Sequence, residues 1–197
     1  MPPMPPITQA LLLINVGAFL LDLLLGGTLT RWLALWPLGS NFLPFQVVTY
    51  AFLHGSIGHL FFNMLGLWMF GSELERVWGS QRFVRFYGAS VLSAAAAQLL
   101  VTAVLGSIYP TVGASGGLFG LLLAFAMMFP NRTIMPLFPP IPMKAKTFVA
   151  VYGALELVLG VTGTQEGVAH FAHLGGMLGG YLMIRYWRGQ PPFGRRR

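Results

Sequence analysis

Six apolar runs, at roughly 7–25, 58–74, 83–105, 115–129, 147–162 and 168–187, decide what this chain can fold into. Runs of about 20 such residues cross a bilayer as helices, each answering its own backbone N–H and C=O groups. The fourth and fifth are short, so they either thin the bilayer locally or sit wholly inside a bundle. The expected fold class is therefore all-α: a polytopic membrane protein with six transmembrane helices. Composition agrees. Charged residues make up 9% of the 197 and hydrophobic ones 55%, where a soluble domain carries about a quarter charged. No repeat of 20–50 residues is evident, so one six-span domain is expected over 1–188, with a short basic tail at 189–197. The start, MPPMPPITQALLLINVGAF, lacks a basic n-region and a cleavage site, and reads as a Pro-rich lead into a retained span. The stretch 128–144 carries five prolines and reads as a loop.

The net charge of +7 suggests nucleic acid until the twelve basic residues are placed. Arg76, Arg82, Arg85, Arg132, Lys144, Lys146, Arg185, Arg188 and Arg195 to Arg197 all fall on one side, and only Arg31 on the other. A bias of eleven to one follows the positive-inside rule and puts both termini in the cytoplasm. The charge is topological: the partner expected from it is the lipid bilayer, not nucleic acid. Loop 1, about 26–57, carries Trp32 and Trp36 and is expected to lie partly in the interface. The absence of cysteine excludes disulfides, a thiol nucleophile and thiolate metal sites.

Against this apolar background the polar residues stand out. Ser115 sits in TVGASGGLFG among Gly113, Ala114, Gly116, Gly117 and Gly120, at the start of the fourth span. Alone, such a serine reads as a helix N-cap. His59 and Asn63 lie four apart on one face of the second span, where they are either functional or interhelical glue. In the sixth span Ala172, Gly176 and Gly180 form a small-xxx-small ridge beside His173, matched by ridges at Gly113/Gly117 and Gly116/Gly120. Helices 4 and 6 are thus expected to pack backbone to backbone and bring Ser115 to His173. His170 and His173, three apart, suggest a metal site, but no HExxH is present and acids are few, so no metal and no cofactor is expected. His54, before the second span, reads as structural.

The five acids are Asp22, Glu73, Glu75, Glu156 and Glu166. Glu73 and Glu75 close the second span at its cytoplasmic end. Asp22 and Glu156 lie within spans and are able to orient a histidine, but their spacing does not say so. With one Asp in the chain, an aspartyl mechanism, which needs two carboxylates sharing a site, is poorly supported.

Three motifs together resemble the rhomboid intramembrane serine proteases: GxSG as Gly113-Ala114-Ser115-Gly116, HxxxN as His59 to Asn63, and AHxxGxxxG as Ala172-His173 to Gly180. They fall on spans 4, 2 and 6, in the order of the six-span bacterial members, and FGSELERVWGS with Glu75 is similar to the family's end of helix 2. The resemblance implies Ser115 as nucleophile, His173 as general base, and an oxyanion held by His59, Asn63 and the Ser115 backbone N–H. It also implies transmembrane-protein substrates entering between helices 2 and 5, with loop 5 (about 163–167) as a cap. In the family's light the serine is a nucleophile rather than a cap. One departure is visible: Phe45-Gln46 stands where many members carry Trp-Arg. The expected machinery is a Ser–His dyad without a carboxylate, Glu156 being the only serious contender for a third member. The rival in the same fold is a silent relative that binds membrane helices for quality control, and such relatives usually lack the Ser or the His. A transporter is a third reading, for which only Asp22 and Glu156 supply charge at mid-membrane.

Overall fold

The computed structural model describes residues 3–39, 41–106, 108–137, 140–163 and 169–192. Helix α1 covers Pro6–Leu24; loop 1 then holds two short helices, α2 at Thr28–Leu33 and α3 at Gln46–Thr49, the second running into a 3-10 turn at Tyr50–Phe52. The second span is a continuous helical stretch in three parts: α4 at Ile57–Gly66, a π turn at Leu67–Gly71, and α5 at Ser72–Trp78. Four long helices follow, α6 at Ser80–Leu105, α7 at Ser115–Met128, α8 at Ala145–Thr162 and α9 at His170–Trp187. Each expected span is therefore helical, and the chain is an all-α polytopic membrane protein. On length and composition alone α1, α6 and α8 are able to cross a membrane; α7 is apolar but has only 14 residues. Leu23 and Leu24 of α1, Val104 and Leu105 of α6 and Val161 of α8 are exposed, as lipid-facing side chains are.

Helix α7 runs through the middle of the bundle, and glycine decides its neighbours. A β-carbon at Gly176 of α9 would run into the Gly116 carbonyl, and one at Gly180 would come within 3.2 Å of the Gly120 Cα. The expected backbone-to-backbone packing of helices 4 and 6 is thus present, through Gly116, Gly120, Gly176 and Gly180. The Gly113/Gly117 pair does something else: Gly117 faces the Tyr87 ring of α6, and Gly113 faces His59. A second small-residue stripe on α9, Gly175 and Gly179, admits Ala97, Ser93 and Ala89 of α6. Helix α9 is therefore gripped on two sides.

Two polar knots hold the ends. Glu75, buried on α5, accepts bonds from the Ile7 and Thr8 backbone N–H groups and the Thr8 hydroxyl, and another from Ser80. Helix α1 has no side-chain cap of its own, so Glu75 serves as its cap from another helix. In loop 1, Gln46 is fully buried: its Oε1 accepts from the Trp36 and Leu43 N–H groups, and its Nε2 donates to the Trp32 and Asn41 carbonyls. Loop 1 also pairs with the strand-like lead into α7, where Leu35 and Thr111 exchange backbone hydrogen bonds. The Pro-rich 128–144 stretch contains one feature its prolines do not announce, a two-residue ribbon of β1 (Thr133–Ile134) against antiparallel β2 (Met143–Lys144). Arg132, beyond the C-terminus of α7, pairs with Glu73 of α5.

Candidate active site

The N-terminus of α7 is where α4, α8 and α9 converge. Ser115 is the first residue of that helix; the capping position belongs to Ala114, with no side-chain cap bond. The hydroxyl is thus not spent on the helix. The helix ladder begins with the Leu118 N–H on the Ala114 carbonyl, leaving the amides of Ser115, Gly116 and Gly117 at the positive end of the helix. Gly113 approaches this turn at φ +134°, a conformation that side chains rarely tolerate. It must also be small, because a β-carbon there would lie 2.8 Å from His59 Nε2 and 3.4 Å from Ser115 Oγ. His59 of α4 is thereby placed beside the serine. Asn63, one turn further along, is buried and donates its amide to the His59 carbonyl, while its Oδ1 has no partner among the described residues.

From α9, His173 reaches the serine: Nε2 lies 2.7 Å from Ser115 Oγ. The imidazole lies flat on the ring of Phe119, centroids 4.3 Å apart and planes within 3°. Phe119 is four residues after Ser115, so serine and stacking platform share one helical face. Phe119 is thus one of two neighbours that orient the His173 ring.

The other is a carboxylate: Glu156 of α8, the one contender for a third member beside the expected Ser–His dyad, sits against the far side of His173. Its Oε2 is 2.9 Å from His173 Nδ1 and 2.6 Å from His170 Nδ1. The contact with His170 is an aligned hydrogen bond, whereas the one with His173 is close but off the N–H direction. Helix register explains the placement. Gly153, Glu156 and Gly160 line one face of α8, opposite Met177, His173 and His170 of antiparallel α9. A β-carbon at Gly153 would lie 3.3 Å from the Met177 Cε, and one at Gly160 would lie 3.1 Å from the His170 Cβ. The two glycines let the helices close, and the carboxylate between them is delivered to the histidines. Glu156, His170 and His173 also offer ligand atoms within 4.8 Å of one another.

The remaining candidates are accounted for. Asp22 is tied to Thr30 in loop 1 and reaches no histidine. His54 is buried edge-on to His59, centroids 5.0 Å apart, with neither ring nitrogen bonded among the described residues. Burial and then the neighbouring His59 push its pKa down to about 3, so it is neutral at physiological pH. Most of loop 5, with Glu166, and Arg195 to Arg197 of the tail lie outside the described residues. Phe119 and Gln46 are the residues whose part the sequence did not disclose.

A bundle of apolar helices that presents a serine at a helix N-terminus to a buried histidine defines a polytopic membrane protein. The profile of the Rhomboid domain matches residues 42–189 of this chain, which therefore belongs to the rhomboid family. It is 32% identical over 175 residues to "Rhomboid protease GluP" of Bacillus subtilis (strain 168), covering 83% of this chain and 31% of that protein. It is 33% identical over 140 residues to "Rhomboid protein 1, mitochondrial" of Saccharomyces cerevisiae, covering 70% of this chain and 40% of the relative. With "RHOMBOID-like protein 4" of Arabidopsis thaliana the identity is 35% over 137 residues, covering 66% of this chain and 31% of the relative. The chain spans less than half the length of these curated relatives.

Proposed function

We propose that this chain is an intramembrane serine endopeptidase that cleaves a peptide bond in or beside the transmembrane helix of a membrane-protein substrate. The observation that carries the reading is the 2.7 Å separation of His173 Nε2 and Ser115 Oγ. A serine hydroxyl is a weak nucleophile until an adjacent base takes its proton. As Oγ attacks the carbonyl carbon, its proton passes to Nε2; His173 later returns that proton to the leaving amine, and water repeats the sequence on the acyl-enzyme. The oxyanion forms at the positive end of α7, within reach of the Ser115 N–H and beside His59, with Asn63 one turn away. No cofactor or metal takes part in these steps.

A helical peptide hides its carbonyls, so the substrates expected are single-pass proteins whose span holds helix-breaking or small residues. The charge bias supports a multi-pass protein with cytoplasmic termini and Ser115 towards the opposite face, in a cytoplasmic membrane of bacterial type. Two measurements with purified protein test the reading: labelling by a fluorophosphonate probe and cleavage of a labile transmembrane substrate. Both are expected in wild type, both vanish in Ser115→Ala and fall strongly in His173→Ala, and chelators change neither. A wild type that neither labels nor cleaves, yet binds membrane helices, is instead the silent kind of relative.

A further inference from the structure

We propose that Glu156 is a positioning residue that makes the site a Ser115–His173–Glu156 relay, with His170 holding the carboxylate in place. The proposal rests on the serine-protease reading above and adds to it a group on the far side of the base. For Nε2 of neutral His173 to accept the Ser115 proton, the ring's own proton must be on Nδ1. A carboxylate oxygen 2.9 Å from Nδ1, close though not aligned with an N–H there, favours that tautomer, because a carboxylate accepts a hydrogen bond and offers none. When Nε2 takes the serine proton, Nδ1 keeps its own and Glu156 stays ionised, so the imidazolium forms beside a negative charge.

Three independent features hold this arrangement. The carboxylate stands between Gly153 and Gly160 on the face of α8 where α9 comes closest. His170 donates Nδ1–H to the same Oε2 at 2.6 Å, restraining the carboxylate from a second side. Phe119 fixes the plane of the His173 ring, leaving rotation within that plane as the adjustment that aligns Nδ1–H with Oε2. Hydrogen bonds of this kind are commonly loose in the free enzyme and tighten with substrate bound. The same three side chains are a conceivable zinc site. The separations of 2.6 and 2.9 Å are hydrogen-bond lengths, whereas two ligands about 2.0–2.1 Å from one tetrahedral zinc stand roughly 3.3 Å apart. Protons fit this geometry better than a metal does.

The test has two arms. Kinetically, Glu156→Gln is expected to lower kcat on a transmembrane substrate at least a hundredfold while KM stays within about threefold, since the residue touches the base and not the substrate. A residue that only packs α8 on α9 would lower thermal stability without that split. Spectroscopically, 15N chemical shifts of imidazole-labelled Ser115→Ala protein are expected to show His173 as the Nδ1–H tautomer, and to show mixed tautomers when Glu156→Gln is added. This arm needs no activity, and its Ser115→Ala half needs no variant at position 156. Wild type that labels with fluorophosphonate while Glu156→Gln keeps kcat within tenfold overturns the proposal and spares the protease reading; a wild type that never labels overturns the protease reading itself. An Nε2–H tautomer in the Ser115→Ala protein, or stoichiometric zinc in the purified protein, also overturns the proposal, because a metal on Nδ1 would displace the proton it requires.

Discussion

His59 and Asn63 occupy one face of α4, a turn apart, yet their surroundings separate them. His59 presents its ring to Gly113 and Ser115, while Asn63 has its amide on a backbone carbonyl and must turn to serve an oxyanion. Loss of a single oxyanion donor typically costs about a hundredfold or more. With three donors sharing the charge, His59→Ala is expected to lower kcat roughly a hundredfold and Asn63→Ala roughly tenfold, read on one hard substrate with folding checked by thermal melts. Equal losses would mean that Asn63 already faces the oxyanion. Ser115, His173, His59 and Asn63 were all legible as candidates because each is a polar group where lipid makes polar groups expensive. Phe119 was not, because an aromatic among aromatics carries no such signal until the fold lays a histidine on it.

Helices explain where legibility stopped. Small residues four apart announce close packing but not the partner: Gly116, Gly176 and Gly180 met as expected, while Gly117 turned to α6. Gly176 is the sharpest contact, since a β-carbon there would meet backbone, which cannot swing away. Gly176→Ala is expected to lower the melting temperature and to abolish fluorophosphonate labelling, because parting α7 from α9 parts Ser115 from His173. The matching change at Gly17 of α1, which has open space around its Cα, should leave both unaltered. The pairing of Glu156 with the histidines was hidden for a related reason. It needs the Gly153–Gly160 face of α8 to be set against α9, a register that neither helix specifies alone. Loop 1 shows the same limit: Phe45-Gln46 marked a departure, and only the fold reveals Gln46 as the four-bonded centre of that loop.

Across the whole molecule, the first helix is attached through Glu75 at the end of the second span, far along the bundle from Ser115. The Glu75 carboxylate accepts four bonds there, from the Ile7 and Thr8 backbone N–H groups, the Thr8 hydroxyl and the Ser80 hydroxyl. Glu75→Gln keeps the shape but replaces one acceptor oxygen by an amide donor that faces donors, so it should melt roughly 3–8 °C lower than wild type. An unchanged melting temperature would show that shape rather than hydrogen bonding matters at this position.

The shortness of α7 makes the central helix a ruler. Its 14 residues rise about 21 Å at 1.5 Å each, against a hydrocarbon layer of about 30 Å. On the proposed topology, the pairing of Arg132 with Glu73 puts one end of that ruler near the cytoplasmic headgroups. Its other end, where Ser115 stands, then stops some 9 Å beneath the opposite boundary of the hydrocarbon. That distance is about six residues of a helix, so on the proposed protease reading the depth of cleavage is counted out in turns of α7 and not left to the lipid around it.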